Sequence, residues 1–140
     1  FDKVTADEAL AKQGNIEVGE ELYRVIRLRY LCDVLYDLEE SYFPRSVVPF
    51  LSSDSVQHSV FEFIREAYGI IGSTTENDVH QVRVNTERAK LIGSPDGDKT
   101  VCLDAINYLT NGTVFNFSKT FFVYHDLELY YHTENIDLQQ

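Results

Sequence analysis

Arg27 and Arg29 are the residues whose types and spacing most plainly suggest chemistry in this chain. In an extended segment, residues i and i+2 project to the same side, roughly 6–7 Å apart. Two guanidiniums held that way repel each other, and covering them adds a desolvation cost. The arrangement becomes tolerable when a carboxylate or a bound anion sits between them. Paired arginines are accordingly a recurrent clamp for phosphate and carboxylate groups. The competing reading is a solvated strand face whose arginines pair with surplus acidic side chains, each such pair being worth about 0–1 kcal/mol. Asp37, Glu39 and Glu40 bear on the choice. Asp37 and Glu39 share one face of the next extended stretch, while Glu40 takes the other with Leu38 and Tyr42. If the two stretches pair about a turn at Asp33, Glu39 approaches the arginines. There it could orient one of them or accept a ligand hydroxyl.

No catalytic set accompanies these groups. His58, His80, His125 and His132 fall in separate elements, and none has metal-ligand spacing to a cysteine or another histidine. There is no glycine-rich phosphate loop and no nucleophile-elbow motif. The sequence therefore predicts no catalytic residue, no metal and no cofactor.

The elements that must hold the arginines can be read from periodicity. Residues 2–13 suggest a short helix, with Thr5 and Glu8 as a capping box and Gly14 as its terminating glycine. Residues 21–31 and 34–43 alternate as an antiparallel strand pair, and Pro44 and Pro49 end it. Residues 55–68 repeat apolar side chains at helical spacing and stop at Gly69. A strand over 78–84, a short helix over 85–91 and a turn over 94–98 follow. Strands are predicted over 100–109, 113–118 and 121–132, the first two joined by a two-residue turn at Asn111-Gly112. The aromatic run Phe115, Phe117, Phe121, Phe122, Tyr124, Tyr130 and Tyr131 reads as core or subunit contact. Tight turns favour antiparallel pairing, so the expected class is α+β, with helices packed on an antiparallel sheet.

Composition narrows the function. A chain of 140 residues, 44% hydrophobic, suits one domain with one core, here residues 1–140. The net charge of -11 opposes direct binding to DNA, whose phosphates require a basic face. No apolar run is long enough to span a bilayer. Cys32 and Cys102, each in an apolar stretch, read as small buried hydrophobes rather than a disulfide framework. The triplets at Asn111 and Asn116 that match glycosylation acceptors matter only in a secreted protein. With no signal peptide in view, a cytoplasmic location is expected. The first residue is Phe1, and the chain reads as part of something longer.

Certain motifs resemble a known family. Val25-Ile26-Arg27-Leu28-Arg29-Tyr30, then Leu38-Glu39-Glu40-Ser41-Tyr42-Phe43-Pro44, resembles the strand pair of the UTRA ligand-binding domain of the HutC branch of GntR-type transcription regulators. Downstream, His58-Ser59-Val60-Phe61, Tyr68-Gly69-Ile70, Glu87-Arg88-Ala89-Lys90-Leu91, Thr100-Val101-Cys102-Leu103 and Gly112-Thr113-Val114-Phe115-Asn116-Phe117-Ser118 continue the likeness in order. It covers nearly the whole chain. The resemblance implies a fold like that of chorismate lyase, a homodimer, and a winged helix-turn-helix domain preceding this piece that contacts operator DNA. It implies that Arg27, Arg29 and Ser59 hold an anionic group such as a sugar phosphate, and that Glu39 binds polar groups of the effector. Phe61 stands where the family commonly has tyrosine, and Asn116 where it commonly has glutamate. Both departures alter the effector's polar contacts. Two alternatives compete with effector sensing: a chorismate-lyase-type enzyme on the same fold, with Glu39 as acid, and a pairing module with no ligand.

Overall fold

The computed structural model describes residues 1–57 and 59–123. Among these described residues, six strands form one antiparallel sheet: β1 (Asp2–Thr5), β2 (Glu21–Leu31), β3 (Val34–Pro44), β4 (Thr74–Arg83), β5 (Lys99–Tyr108) and β6 (Val114–Phe122). Their spatial order is β1-β2-β3-β6-β5-β4. Three helices accompany them: α1 (Glu8–Gly14), α2 (Val60–Tyr68) and α3 (Thr86–Ile92). This is the α+β class that the turn chemistry implied.

Strand alternation gives the sheet two faces with separate cores. On one, Tyr23, Val25, Phe43 and Phe115 pack with Val60 and Ile64 of α2 and with Val48, Leu51 and Val56 of the preceding segment. On the other, Leu22, Tyr42, Val114 and Phe117 meet Ala6 and, from α1, Leu10. The same side carries Leu38, Cys102 and Phe121 against Val84, Ala89 and Ile92 around α3. Each fully buried apolar side chain of this size stabilises by about 1.5–3 kcal/mol. Arg88 pins α3 to the sheet: its Nε and Nη2 donate to the Glu40 carboxylate at 2.6 and 2.9 Å, and its guanidinium lies 4.5 Å above the Phe121 ring.

Two irregularities shape the strands. The β2–β3 register runs Arg29 to Asp37 but Tyr30 to Leu35, which leaves Tyr36 as an extra residue. The β5–β6 register runs Asn107 to Asn116 but Tyr108 to Val114, which leaves Phe115 extra and turns it toward α2. The β2–β3 turn has Cys32 and Asp33 at φ 50° and 64°. Both central residues are left-handed, the arrangement whose twist suits a two-residue hairpin.

Several expectations are corrected. Residues 2–5 are a strand paired to β2, because the β2 edge supplies backbone partners that a lone first helical turn lacks. The helix therefore begins at Glu8, and Asp7, not Thr5, caps it by accepting from the Leu10 N–H at 2.8 Å. Gly14 lies inside the helix, and Asn15 takes the left-handed position. A Cβ on Gly14 would come within 2.5 Å of the Phe117 ring, so this glycine serves close approach of helix to sheet. The second helix starts at Val60, not at residue 55. Ser59 caps it, and residues 53–57 form turns. Strand β4 starts four residues earlier than expected, at Thr74, with Tyr108 as its register partner.

Cys32 is exposed, because it occupies the hairpin turn. The β5–β6 connection is a three-residue loop. Leu109 and Thr113 pair through the Leu109 N–H, and the Gly112 N–H closes a turn onto the Leu109 carbonyl. A single strand, Val114–Phe122, runs through the strand expected over 113–118 and on into the first residues of the one expected over 121–132. The remainder of that second stretch, with Tyr124, His125, Tyr130, Tyr131 and His132, lies outside the described residues, as does His58.

Candidate functional site

The face beneath α2 changes character along its strands. Near β1 it is apolar. Toward the sheet centre it becomes polar while staying covered: Asp37, Ser41, Asn116, Ser118 and Thr120 are all buried. Buried polar side chains must find hydrogen bonds or stand at a cost. All of these but Asp37 line a cavity of about 470 Å³ between the α2 N-terminus and strands β2, β3, β5 and β6. Small-molecule sites are commonly about 300–1,000 Å³. Arg27, Arg29, Glu39, Ser59, Phe61 and Asn116, the six residues singled out from sequence, all line it. So do Ser41, Leu103, Asn107, Ser118 and Thr120, which sequence reasoning missed.

The hairpin that pairs β2 with β3 sets Arg27 opposite Glu39 and Arg29 opposite Asp37. Arg27 Nη2 donates to Glu39 Oε1 at 2.7 Å, and Arg29 Nη2 lies 3.1 Å from Glu39 Oε2. One carboxylate thus bridges both guanidiniums. Behind it, Arg29 Nε donates to Asp37 Oδ1 at 2.8 Å. Burial works against the Arg29 charge, but the Asp37 hydrogen bond and the charges of Glu39 and Asp37 outweigh it, so its pKa is raised. The arginines are thus paired with acidic side chains, and the pairing sits at a cavity rather than on an open strand face.

The floor is a hydrogen-bond relay across four strands. The Thr75 hydroxyl donates to Asn107 Oδ1 at 2.6 Å, and Asn107 Nδ2 donates to Asn116 Oδ1 at 2.9 Å. Asn116 Nδ2 then donates to Ser41 Oγ at 2.7 Å and to the Tyr42 carbonyl at 3.0 Å. Asn116 spends both amide protons this way and fixes the floor. Being 1% exposed, it is also no glycan acceptor. The Ser118 and Thr120 hydroxyls make no side-chain hydrogen bond among the described residues and border the hollow. Ser59 Oγ accepts from the Glu62 N–H at 3.2 Å, which leaves its own proton free to donate. Phe61 forms an apolar wall, edge-on to Phe43 with ring centroids 6.3 Å apart and 5.9 Å from Phe115.

The arrangement is a partly open hollow with a hydrogen-bonded polar floor, a charged bridge at one side and an aromatic wall. The chain belongs to the UTRA domain family, the effector-binding type of domain found in GntR-type transcription regulators, whose profile matches residues 1–127. It is 34% identical over 114 residues to the uncharacterized HTH-type transcriptional regulator YydK of Bacillus subtilis, covering 81% of this chain and 48% of YydK. It is 25% identical over 122 residues to the mannosyl-D-glycerate transport/metabolism system repressor MngR of Escherichia coli, covering 87% of this chain and 51% of MngR. The chain thus spans about half the length of these relatives. The crystal structure of YydK superimposes with a TM-score of 0.83 at 30% identity, over 95% of this chain and 58% of that one. The effector-binding domain of the B. subtilis trehalose repressor shares the fold, with a TM-score of 0.80 at 19% identity over 96% of this chain and 94% of that one. These relatives are regulators and not enzymes, which sets the lyase alternative aside.

Proposed function

We propose that this chain is the effector-sensing and pairing domain of a GntR-type, HutC-branch transcription regulator, and that its effector carries an anionic group together with several hydroxyls. The observation that carries the reading is the Glu39 carboxylate bridging Arg27 and Arg29 beside the Ser118 and Thr120 hydroxyls, which have no side-chain partner among the described residues. An incoming phosphate or carboxylate can replace part of the Glu39 contact, with the Ser59 proton and the first N–H groups of α2 as further donors. Glu39, once shifted, accepts from ligand hydroxyls, and Ser41, Ser118 and Thr120 complete the polar contacts. A sugar phosphate or a sugar acid fits this set. MngR, a relative, is named as repressor of a mannosyl-D-glycerate system.

In this reading the domain spans residues 1–140 and works in the cytoplasm as a homodimer. No helix among the described residues is long and apolar enough to cross a membrane. Operator DNA is contacted by a winged helix-turn-helix domain elsewhere in the whole protein, since a net charge of -11 repels phosphates. Effector binding favours one dimer geometry, and operator affinity changes by the differential binding energy. A ligand-free pairing module fits poorly with a hollow, polar cavity.

Thermal unfolding against a panel of sugar phosphates, sugar acids and their neutral parent sugars tests this. A bound effector at 100 times its dissociation constant adds about 2.7 kcal/mol to stability. Arg27→Ala, and Arg29→Lys, which keeps charge but loses the fork, are expected to abolish the anion's advantage over its neutral parent. Equal stabilisation by anion and neutral sugar, or anion binding indifferent to both substitutions, defeats the proposal.

A further inference from the structure

The opposite sheet face holds a second cluster that the effector reading does not use. The β4–β5 register sets His80 directly across from Cys102, and Asp104 follows Cys102 by two on the same face. His80 Nε2 lies 3.4 Å from Asp104 Oδ2, and Cys102 Sγ lies 4.0 Å from Asp104 Oδ1. The three donor atoms all fall within 4.8 Å of one another. Ligand atoms around a tetrahedral zinc ion sit roughly 3.3–3.6 Å apart, given its usual bond lengths, so small side-chain movements suffice. His80 Nδ1 is buried and has no hydrogen-bond partner among the described residues.

We propose that His80, Cys102 and Asp104 bind a thiophilic divalent cation of the zinc class. The donor set of thiolate, imidazole and carboxylate selects such an ion over magnesium or calcium, which prefer all-oxygen shells. Lys119 Nζ already donates to Asp104 Oδ1 at 2.8 Å, so Oδ2, the oxygen nearer His80, is the one that takes the metal. Lys119 then orients the ligand carboxylate from outside. Binding forms one metal–sulfur bond and breaks the S–H bond, and the proton leaves to solvent. The thiolate and the carboxylate together neutralise the ion. Three protein donors leave a fourth position for water, and Asp104 borders an open groove of about 720 Å³ that can supply it. The bound ion clips the edge strand β4 to β5, and the site stands or falls independently of the effector cavity.

Sequence spacing hid this site because its ligands come from two strands more than twenty residues apart and meet only through the register. The test is cobalt(II) titration of the chelator-stripped 140-residue chain. The expected result is a saturable thiolate-to-cobalt charge-transfer band with visible bands of tetrahedral cobalt, both erased by added zinc. Cys102→Ser should remove the charge-transfer band, His80→Ala should weaken binding by about tenfold or more, and Cys32→Ser should change nothing. Absence of a thiolate band in the wild type, or a band kept by Cys102→Ser and lost in Cys32→Ser, overturns the proposal. If Cys102→Ser fails to fold, His80→Ala on the half-exposed edge strand decides. Zinc must raise the unfolding temperature of the wild type and not of that variant, and equal shifts in both count against the site.

Discussion

The two faces of the central strands are made from alternate residues of the same segments, yet they answer to different demands. Along β3 and β6, Leu38, Tyr42, Phe117 and Phe121 fill the face under α1 and α3. Their immediate neighbours Glu39, Ser41, Asn116, Ser118 and Thr120 face the cavity. The first face is packed to helix-on-ring contact, as Gly14 shows. The second gives up apolar burial, keeps hydroxyls unmatched among the described residues and holds a charged bridge. A sheet that needed only stability would carry valine and isoleucine there. The cavity face is therefore where apolar packing gives way to polar side chains, and under the proposed function substitutions on the two faces should separate cleanly.

The sharpest break comes from the packed face. Phe117→Ala removes a fully buried ring stacked on Tyr42 with centroids 5.0 Å apart. It should cost about 3–5 kcal/mol in denaturant unfolding. Gly14→Ala attacks the same contact from the helix by forcing a methyl group against that ring, for about 1–3 kcal/mol. Neither residue lines the cavity, so at temperatures where the variants stay folded, effector affinity should hold. On the cavity face the balance reverses. Thr120→Val and Ser118→Ala delete hydroxyls that lack side-chain partners among the described residues and should leave stability unchanged or raise it by about 1 kcal/mol. The same variants should weaken effector binding in calorimetric titration. A loss of stability as large as that of Gly14→Ala would show that these hydroxyls serve the fold.

How far the sequence reached follows this same division. Arg27, Arg29 and Glu39 were legible because a period of two and a turn at Asp33 are local facts, and together they fix which side chains meet. Ser118, Thr120 and Asn107 were not. A polar residue alternating on a strand reads as solvent-facing, and only the docking of α2 on that face, a long-range event, buries it. Residues 2–5 misled for a related reason. Thr5 and Glu8 have capping-box spacing, but Asp7 also caps, and pairing with β2 chose between the two. Cys32 sits in an apolar run, and nothing local says that the hairpin turns on it. His80 and Cys102 belong to one site only through the β4–β5 register, which no spacing rule reaches.

The smallest effect sharpens the comparison through charge. Tyr42 projects to the packed face, where burial and then the nearby Glu40 carboxylate push its phenol pKa above the ordinary 10.0, against the opposing pull of Arg24 from β2 and Arg88 from α3. The folded chain therefore holds this proton longer than the unfolded chain. Its contribution to stability is complete below pH 10 and is lost as pH rises through the raised folded value. Tyr42→Phe keeps the ring stacked on Phe117 and removes the ionisable oxygen. Its unfolding free energy should fall less steeply as pH rises from 10 through the raised folded value, while the two proteins run parallel at neutral pH. Parallel curves throughout the alkaline range would mean that the phenol is as well solvated folded as unfolded. The packed face would then be wetter at its charged margin than its side-chain burial implies.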